Sequence, residues 1–303
     1  MKVNRYILIV LFCLSTMFGF SQNYVDLLKV NLNTTQNNTF DSSSVKTKVN
    51  EVMVDFTIPI KLNEKTSLIT GLIYENIETK LFTNDNTKSF GSSTLKLGIN
   101  KVFNEKLSGT LVLLPKIASD FKSIGNKDFQ LGAIGILKIR KHDNLNYKIG
   151  LYYNSELFGP FFVPMFGFYY LSPNKKFEAN VMLPLQGDVN YKVISFVSVG
   201  CNYNGLIRSY HLNDYNGSYV SKFSNELYAY FKFDVTKKII FQTKVGQSLS
   251  RKYKVYDEND KVDFGLPLLF IGDHRKQLNT NFSNGLIFQF SFLYRLSLEK
   301  NKQ

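Results

Sequence analysis

The side chains best suited to metal or nucleophilic chemistry are three histidines and two cysteines, and none stands in a working arrangement. His142, His211 and His274 have no second His or Cys at the spacing of a zinc site. Deacylases built into a barrel wall carry His followed two residues later by Ser. Here His211-Leu212-Asn213 has no such serine, and Ser209-Tyr210-His211 has the order reversed. No Gly-x-Ser-x-Gly elbow occurs. A rim protease would need His with paired carboxylates, and only His211 with Asp214 approaches that. The run Asp257-Glu258-Asn259-Asp260-Lys261-Val262-Asp263 has the composition of a calcium loop but lacks the glycine and terminal glutamate such a loop requires. It reads as a solvated loop, with a weak divalent site left open. The expectation is a non-enzyme with no catalytic residues, no metal and no cofactor.

The remaining chemistry lies in charged residues of both signs spaced two apart. Lys148, Glu156, Arg208, Glu226, Lys232, Asp234 and Lys244 are the main candidates, with Glu51, Asp55, Lys96, Glu178, Lys192 and Arg295 in the same pattern. Each alternates with apolar neighbours. In Leu145 to Glu156 the odd positions run Leu145, Tyr147, Ile149, Leu151, Tyr153, and the even ones Asn146, Lys148, Gly150, Tyr152, Asn154. A period of two is a strand with one oily and one wet face. Facing hydrocarbon, each charge would cost about 2–4 kcal/mol at the midplane, so the charges must sit near the interfaces or face a lumen. There they either knit the lumen shut by ion pairs or line a polar channel of low charge selectivity. By the same alternation Asn154 should tolerate arginine.

The elements that position these residues are long strands. Period two recurs over 24–33, 48–62, 66–81, 92–104, 107–117, 128–141, 145–157, 162–172, 176–184, 188–194, 196–211, 220–235, 238–256 and 283–298. That makes fourteen, or twelve if 184–196 is a loop. Tight connections at 62–66, 103–107, 141–145, 172–176 and 235–238 alternate with long ones at 34–47, 82–91, 118–127, 212–219 and 257–282. This asymmetry belongs to an outer-membrane barrel, the closed sheet in which every backbone group is paired within lipid. A soluble β-sandwich is the competing reading, but the apolar faces are continuous. They end in an aromatic girdle that includes Tyr24, Tyr147, Tyr153, Tyr169, Tyr170, Tyr203 and Tyr294. The expected fold is therefore all-β, a transmembrane antiparallel up-and-down barrel.

Composition agrees. The 303 residues include 27 Phe and 18 Tyr, which excludes disorder, and two Cys cannot staple a chain of this length. The net charge of +13 is spread over short connections such as Pro173-Asn174-Lys175-Lys176, not gathered in a nucleic-acid-binding block. An anionic membrane surface is its natural counterpart. The start, Lys2 and Arg5 followed by an apolar run to Phe20, reads as a signal peptide over residues 1–21, cut ahead of Gln22. Residues 22–303 then form one barrel domain, and Cys13 leaves with the signal.

Three segments resemble a family. They are Leu113-Leu114-Pro115-Lys116-Ile117-Ala118-Ser119-Asp120-Phe121, Leu157-Phe158-Gly159-Pro160-Phe161-Phe162-Val163-Pro164, and Val255-Tyr256-Asp257 through Phe264-Gly265. Together they resemble an uncharacterised Bacteroidota family of exported proteins, a domain of unknown function assigned to outer-membrane barrels. The resemblance covers about residues 23–298. It implies a barrel in the outer membrane of a Gram-negative bacterium and no particular activity. The expected partners are outer-membrane lipid, lipopolysaccharide and the insertion machinery, for which Tyr294-Arg295-Leu296 is the candidate signal.

Loop 257–282 is unlike the other long loops. Its apolar run contains Phe264, Leu266, Leu268, Leu269 and Phe270, and needs burial. These are candidates for a plug that partly occludes the lumen. The functional expectation is a channel or transporter for small solutes or lipids. The alternative is a closed structural barrel presenting its loops to lipopolysaccharide or a partner protein.

Overall fold

The computed structural model describes residues 24–297, apart from 42 and 216. The expected signal peptide, its cut and Cys13 lie outside the described residues. The strands are β1 (Tyr24–Thr39), β2 (Lys46–Lys61), β3 (Thr66–Thr79), β4 (Lys88–Val102), β5 (Leu107–Ser119), β6 (Phe129–His142), β7 (Leu145–Glu156) and β8 (Gly159–Leu171). They continue with β9 (Phe177–Leu183), β10 (Gln186–Ile194), β11 (Val197–Leu212), β12 (Ser218–Asp234), β13 (Ile239–Asp257), β14 (Phe264–Leu266), β15 (Leu269–Ile271) and β16 (Leu286–Ser297). Each of β2–β13 pairs antiparallel with the strand before it. β16 joins β13 to β1, which closes a barrel of 14 strands with β14 and β15 left over. Tyr24 pairs with Ser297, so the first and last strands meet at the end with tight turns.

Alternation is obeyed through the belt. On β2 the exposed side chains Val52, Phe56, Ile58 and Ile60 alternate with Glu51, Met53, Asp55 and Thr57. The same holds on β16, where Phe288, Phe290 and Tyr294 are exposed and Gln289, Ser291 and Leu293 are buried. The weak region 184–196 proves to be a turn at 184–185 followed by the strand β10, which pairs with β9 and β11. Two girdle tyrosines are misplaced by the alternation rule. Tyr24 is turned inward by a bulge between Asp26 and Leu28, and its hydroxyl donates to Glu178 at 3.0 Å. Tyr169 is buried on the lumen side of β8, where the polar–apolar alternation fails because both faces of Gly159–Leu171 are apolar.

Several expected loops are strand. Residues 34–39 and 46–47 pair across β1–β2, and 212 with 218 closes β11–β12 by a short turn. Beyond the apolar belt the hydrophobic period stops while backbone pairing continues, so the sequence there reads as loop.

The upper thirds of β11, β12 and β13 leave the wall. β10 pairs β11 only up to Gln186–Asn204, and β13 pairs β16 only up to Gln247–Leu286. Beyond those points the three strands pair in full only with one another, as far as Leu212–Ser218 and Ser218–Asp257. A bulge at Asn225/Glu226 marks the bend, as an extra residue in one strand sharpens local twist. The resulting three-stranded tongue crosses the lumen. Its β11 edge reaches β5, where His211 pairs in parallel with Ser119. One face packs on β2–β5, burying Phe40, Val49, Ile77, Phe90, Tyr210, Val220, Tyr253 and Val255 together. The other meets β8, with Phe158, Phe161, Val163, Met165, Ile207, Tyr219 and Tyr256 in one cluster.

Candidate functional site: the occluded lumen

The tongue carries cations toward carboxylates on the opposite wall. Glu75 of β3 accepts from Arg208 Nη1 at 2.5 Å, Tyr210 Oη at 2.8 Å and Lys222 Nζ at 3.3 Å. Glu51 of β2 pairs with Lys222 at 2.8 Å and accepts from Tyr253 Oη at 2.5 Å. Arg251 donates to Thr35 Oγ1 at 2.6 Å and Asn38 Oδ1 at 2.9 Å. Buried charge is tolerable only when paired and hydrogen-bonded; Arg208 and Lys222 against Glu51 and Glu75 meet both conditions, while Arg251 is held by its two hydrogen bonds alone.

The free edge of β11 is satisfied by side chains instead of a neighbouring strand. Ser209 donates from its backbone N–H and its hydroxyl to Glu156 Oε2, at 2.7 and 2.6 Å. Its hydroxyl accepts from the Leu157 N–H at 2.7 Å, and its carbonyl accepts from Gln130 Nε2 at 3.0 Å. Lys116 balances Glu156 at 3.5 Å. Glu156 thus closes an open edge, the role a backbone partner plays elsewhere in the wall.

His211 does not meet Asp214. Its Nδ1 lies 2.8 Å from Asp128 Oδ1, which fastens the tongue tip to the short helical turn Asn126–Asp128. The neighbouring Ser209 hydroxyl is committed to Glu156. Asp214 is held in solvent by Lys122 and by Lys88 at 3.2 Å, and hydrogen bonds from Lys122 and then Lys88 lower its pKa below the ordinary carboxylate value. A depressed carboxylate contributes above its unfolded pKa of about 3.9 and loses that contribution as pH falls through the folded value. Limited proteolysis of loop 120–128 should therefore be unchanged from pH 7 to about 5 and accelerate only below the ordinary carboxylate pKa of about 3.9. Acceleration already at pH 5 would show that Lys88 and Lys122 do not hold Asp214.

The seven charged candidates fall into three zones. Glu156 and Arg208 secure the mouth. Glu226 and Lys244 line a central cavity of about 250 Å³, with Lys29, Asn31, Glu51, Glu75, Tyr152, Phe161, Leu185, Ile207 and Lys222. Lys232 and Asp234 line a vestibule of about 790 Å³ at the tight-turn end, with Glu178, Asn190, Lys192 and Arg295. Lys148 stands apart, donating to Asn180 Oδ1 at 2.7 Å. Alternation did not single out Glu75, Lys116, Asp128 and Lys222. Glu75, Lys116 and Lys222 share the inward parity of their strands, and following that parity past the belt would have found them.

The apolar run of loop 257–282 forms the hairpin β14–β15 beside β8, where Gly265 pairs in parallel with Phe161. Phe264 stacks on Phe162 at 5.1 Å and Phe270 meets Phe158 edge-on at 5.5 Å. Leu266 is half-buried, while Leu268 and Leu269 are exposed. Upstream, Asp257 Oδ1 accepts from the Asn259 N–H and Asp260 Oδ2 from the Lys276 N–H, so both shape turns.

Three solved structures share the overall form at low identity. The NanC porin is 8% identical with a TM-score of 0.37, over 89% of this chain and 100% of that one. A TodX monoaromatic hydrocarbon channel mutant is 9% identical with a TM-score of 0.41, over 88% and 89%. Pseudomonas putida OprB is 10% identical with a TM-score of 0.36, over 90% and 94%. No curated protein matches the chain in sequence. Residues 15–289 match the Domain of unknown function (DUF6268), and the chain belongs to that family.

Proposed function

We propose that the chain is a gated transport barrel of a bacterial outer membrane, passing small solutes or lipids and resting closed at the long-loop end. The carrying observation is the construction of the closure. Three of the barrel's own strands shut the mouth, fastened to the wall by ion pairs, while a polar cavity and an open vestibule lie beneath. A lumen filled for stability alone would have no use for that space. A signal peptide, a Bacteroidota source and contact of the lysine-rich surface with lipopolysaccharide complete the reading. The apolar cluster around Phe90 and Tyr253 supports a second reading, a permanently closed structural barrel.

The two separate in planar bilayers. Deleting residues 260–275 together with Glu75→Ala removes two fastenings of the tongue, the carboxylate that holds Arg208 and Lys222 and the Arg275 guanidinium, which lies over the rings of Tyr256 at 4.5 Å and Phe270 at 5.0 Å. Conductance and uptake of a small dye should both rise above those of the intact protein. Unchanged, near-zero conductance in a correctly folded deletion variant would favour the structural barrel.

A further inference from the structure

We propose that the central cavity binds a small anionic amphiphile, one apolar chain or ring bearing a single carboxylate, which reaches it sideways through a seam between β8 and β11. The inference deepens the transport reading by naming its cargo, but its binding step does not depend on conductance.

The head-group end follows from charge. Four cations, Lys29, Arg208, Lys222 and Lys244, and three carboxylates, Glu51, Glu75 and Glu226, line the cavity. Arg208 and Lys222 are taken by Glu51 and Glu75. Glu226 accepts from Tyr228 Oη at 2.6 Å. Among the described residues no carboxylate lies within ion-pair distance of Lys29 or Lys244. Lys244 is 5% exposed, with Asn202 Oδ1 at 3.4 Å and the rings of Tyr228 and Tyr230 at 5.8 and 5.4 Å. The lining thus carries one positive charge in excess; Asp188, behind Tyr230, accepts from that hydroxyl at 2.9 Å and makes no ion pair with either lysine, and a buried cation without a contact partner is costly. A monocarboxylate supplies the missing charge. The other end of the same cavity is apolar, formed by Phe161, Leu185 and Ile207. A volume of about 250 Å³ lies just under the usual small-molecule range, so the ligand is small.

The route follows from strand pairing. β8 pairs β9 only up to Phe166–Leu183, and β10 pairs β11 only up to Gln186–Asn204. Above that level β8 and β11 are not paired with each other. This stretch of β8 lies opposite Leu151 and Tyr153, in the upper part of the apolar belt. Lipid-exposed sheet edges are not tolerated in a bilayer, so the seam must be covered. Its cover is the β14–β15 hairpin, tied to β8 by the single Gly265–Phe161 pair and by the Val262 N–H to the Phe158 carbonyl at 2.8 Å. The hairpin turns apolar side chains outward, Leu268 being 95% exposed and Leu269 54%. Beyond these two backbone contacts the cover is held by ring contacts, Phe264 on Phe162 and Phe270 on Phe158, which can part without breaking the sheet of the barrel.

The chain has no tryptophan, so Leu185→Trp places a sole indole at the apolar end of the cavity. Terminally brominated dodecanoic acid should quench it saturably, and brominated dodecanol at least tenfold less tightly. Lys29→Gln with Lys244→Gln should weaken the acid at least tenfold and leave the alcohol unchanged. Gel mobility before and after boiling checks that the variants are folded, and Lys244→Gln alone should show an intermediate loss. Equal quenching by acid and alcohol, or indifference to both lysines, would overturn the site. For the route, a Cβ built at Gly265 lies 2.9 Å from the Phe161 ring, so Gly265→Cys with Phe161→Cys in a Cys201→Ser background can lock the cover. With the brominated acid supplied in the bilayer, the oxidised form should load at least tenfold more slowly than the reduced form. Equal rates would overturn the lateral route and place access at the vestibule. A barrel that binds the acid yet never conducts in any variant would keep the site and remove the transport reading.

Discussion

Glu75→Ala should cost the closed arrangement about 3–5 kcal/mol, the range for removing one partner of a buried ion pair, and should convert a silent barrel into a conducting one. The carboxylate takes three donors, Arg208, Tyr210 and Lys222. Without it, Arg208 has no carboxylate and Lys222 retains only Glu51. Both cations are buried or nearly so, and water is their cheapest remaining partner. Hydration of the tongue–wall interface is therefore the expected response, and hydration opens the mouth. Glu75→Gln keeps an acceptor and should show a smaller effect on both measures. Chemical unfolding in detergent reads the stability loss, and single-channel recording reads the opening. Adding Arg208→Ala to Glu75→Ala should recover part of the stability, because contacting residues are not additive. An unchanged unfolding midpoint together with a flat current trace would show that the tongue is held by its apolar cluster alone.

Leu151→Arg should cost about 2–4 kcal/mol or block insertion, as a cation on the lipid face does near the midplane. Leu151 is 47% exposed on the outer surface, between Ile149 and Tyr153. Alternation places Leu151 on the outer face, as the structure has it, whereas the companion expectation, that Asn154→Arg is harmless, is at odds with the contacts of Asn154. Asn154 does face inward, but it is 1% exposed and donates to Gln130 Oε1 at 3.2 Å and to Glu156. An arginine there would collide with the group that closes the edge of β11. Gln186, exposed toward the cavity, is the inward position expected to accept arginine. Unfolding midpoints of Leu151→Arg, Asn154→Arg and Gln186→Arg decide the point. Equal tolerance of the first and third would mean that the register is wrong, since a slip of one residue exchanges the two faces.

The strand count, the closure and the facing of β2, β7 and β16 were legible because each depends on a local period of two, an apolar outer face against a polar inner one. The charged candidates Lys148, Glu226, Lys232, Asp234 and Lys244 could be assigned a face for the same reason. What alternation cannot state is what an inward side chain meets across the lumen. Glu75 and Arg208 lie 133 residues apart, and their contact exists only because β11–β13 outrun their neighbours β10 and β16. That inequality of strand lengths was partly visible, since 196–211, 220–235 and 238–256 read as far longer than 188–194. The direction in which the surplus strand bends was not visible, because it is set by a bulge and by competition between two walls for one sheet. The apolar loop run illustrates the same division. Composition alone asks burial of Phe264, Leu266, Leu268, Leu269 and Phe270, as apolar surface is costly to expose, and the structure half-buries Phe264, Leu266 and Phe270 while Leu268 and Leu269 stay exposed. Their seat at the edge of β8, and not across the mouth, was decided by the tongue, which had already filled the mouth and left an edge uncovered beside it.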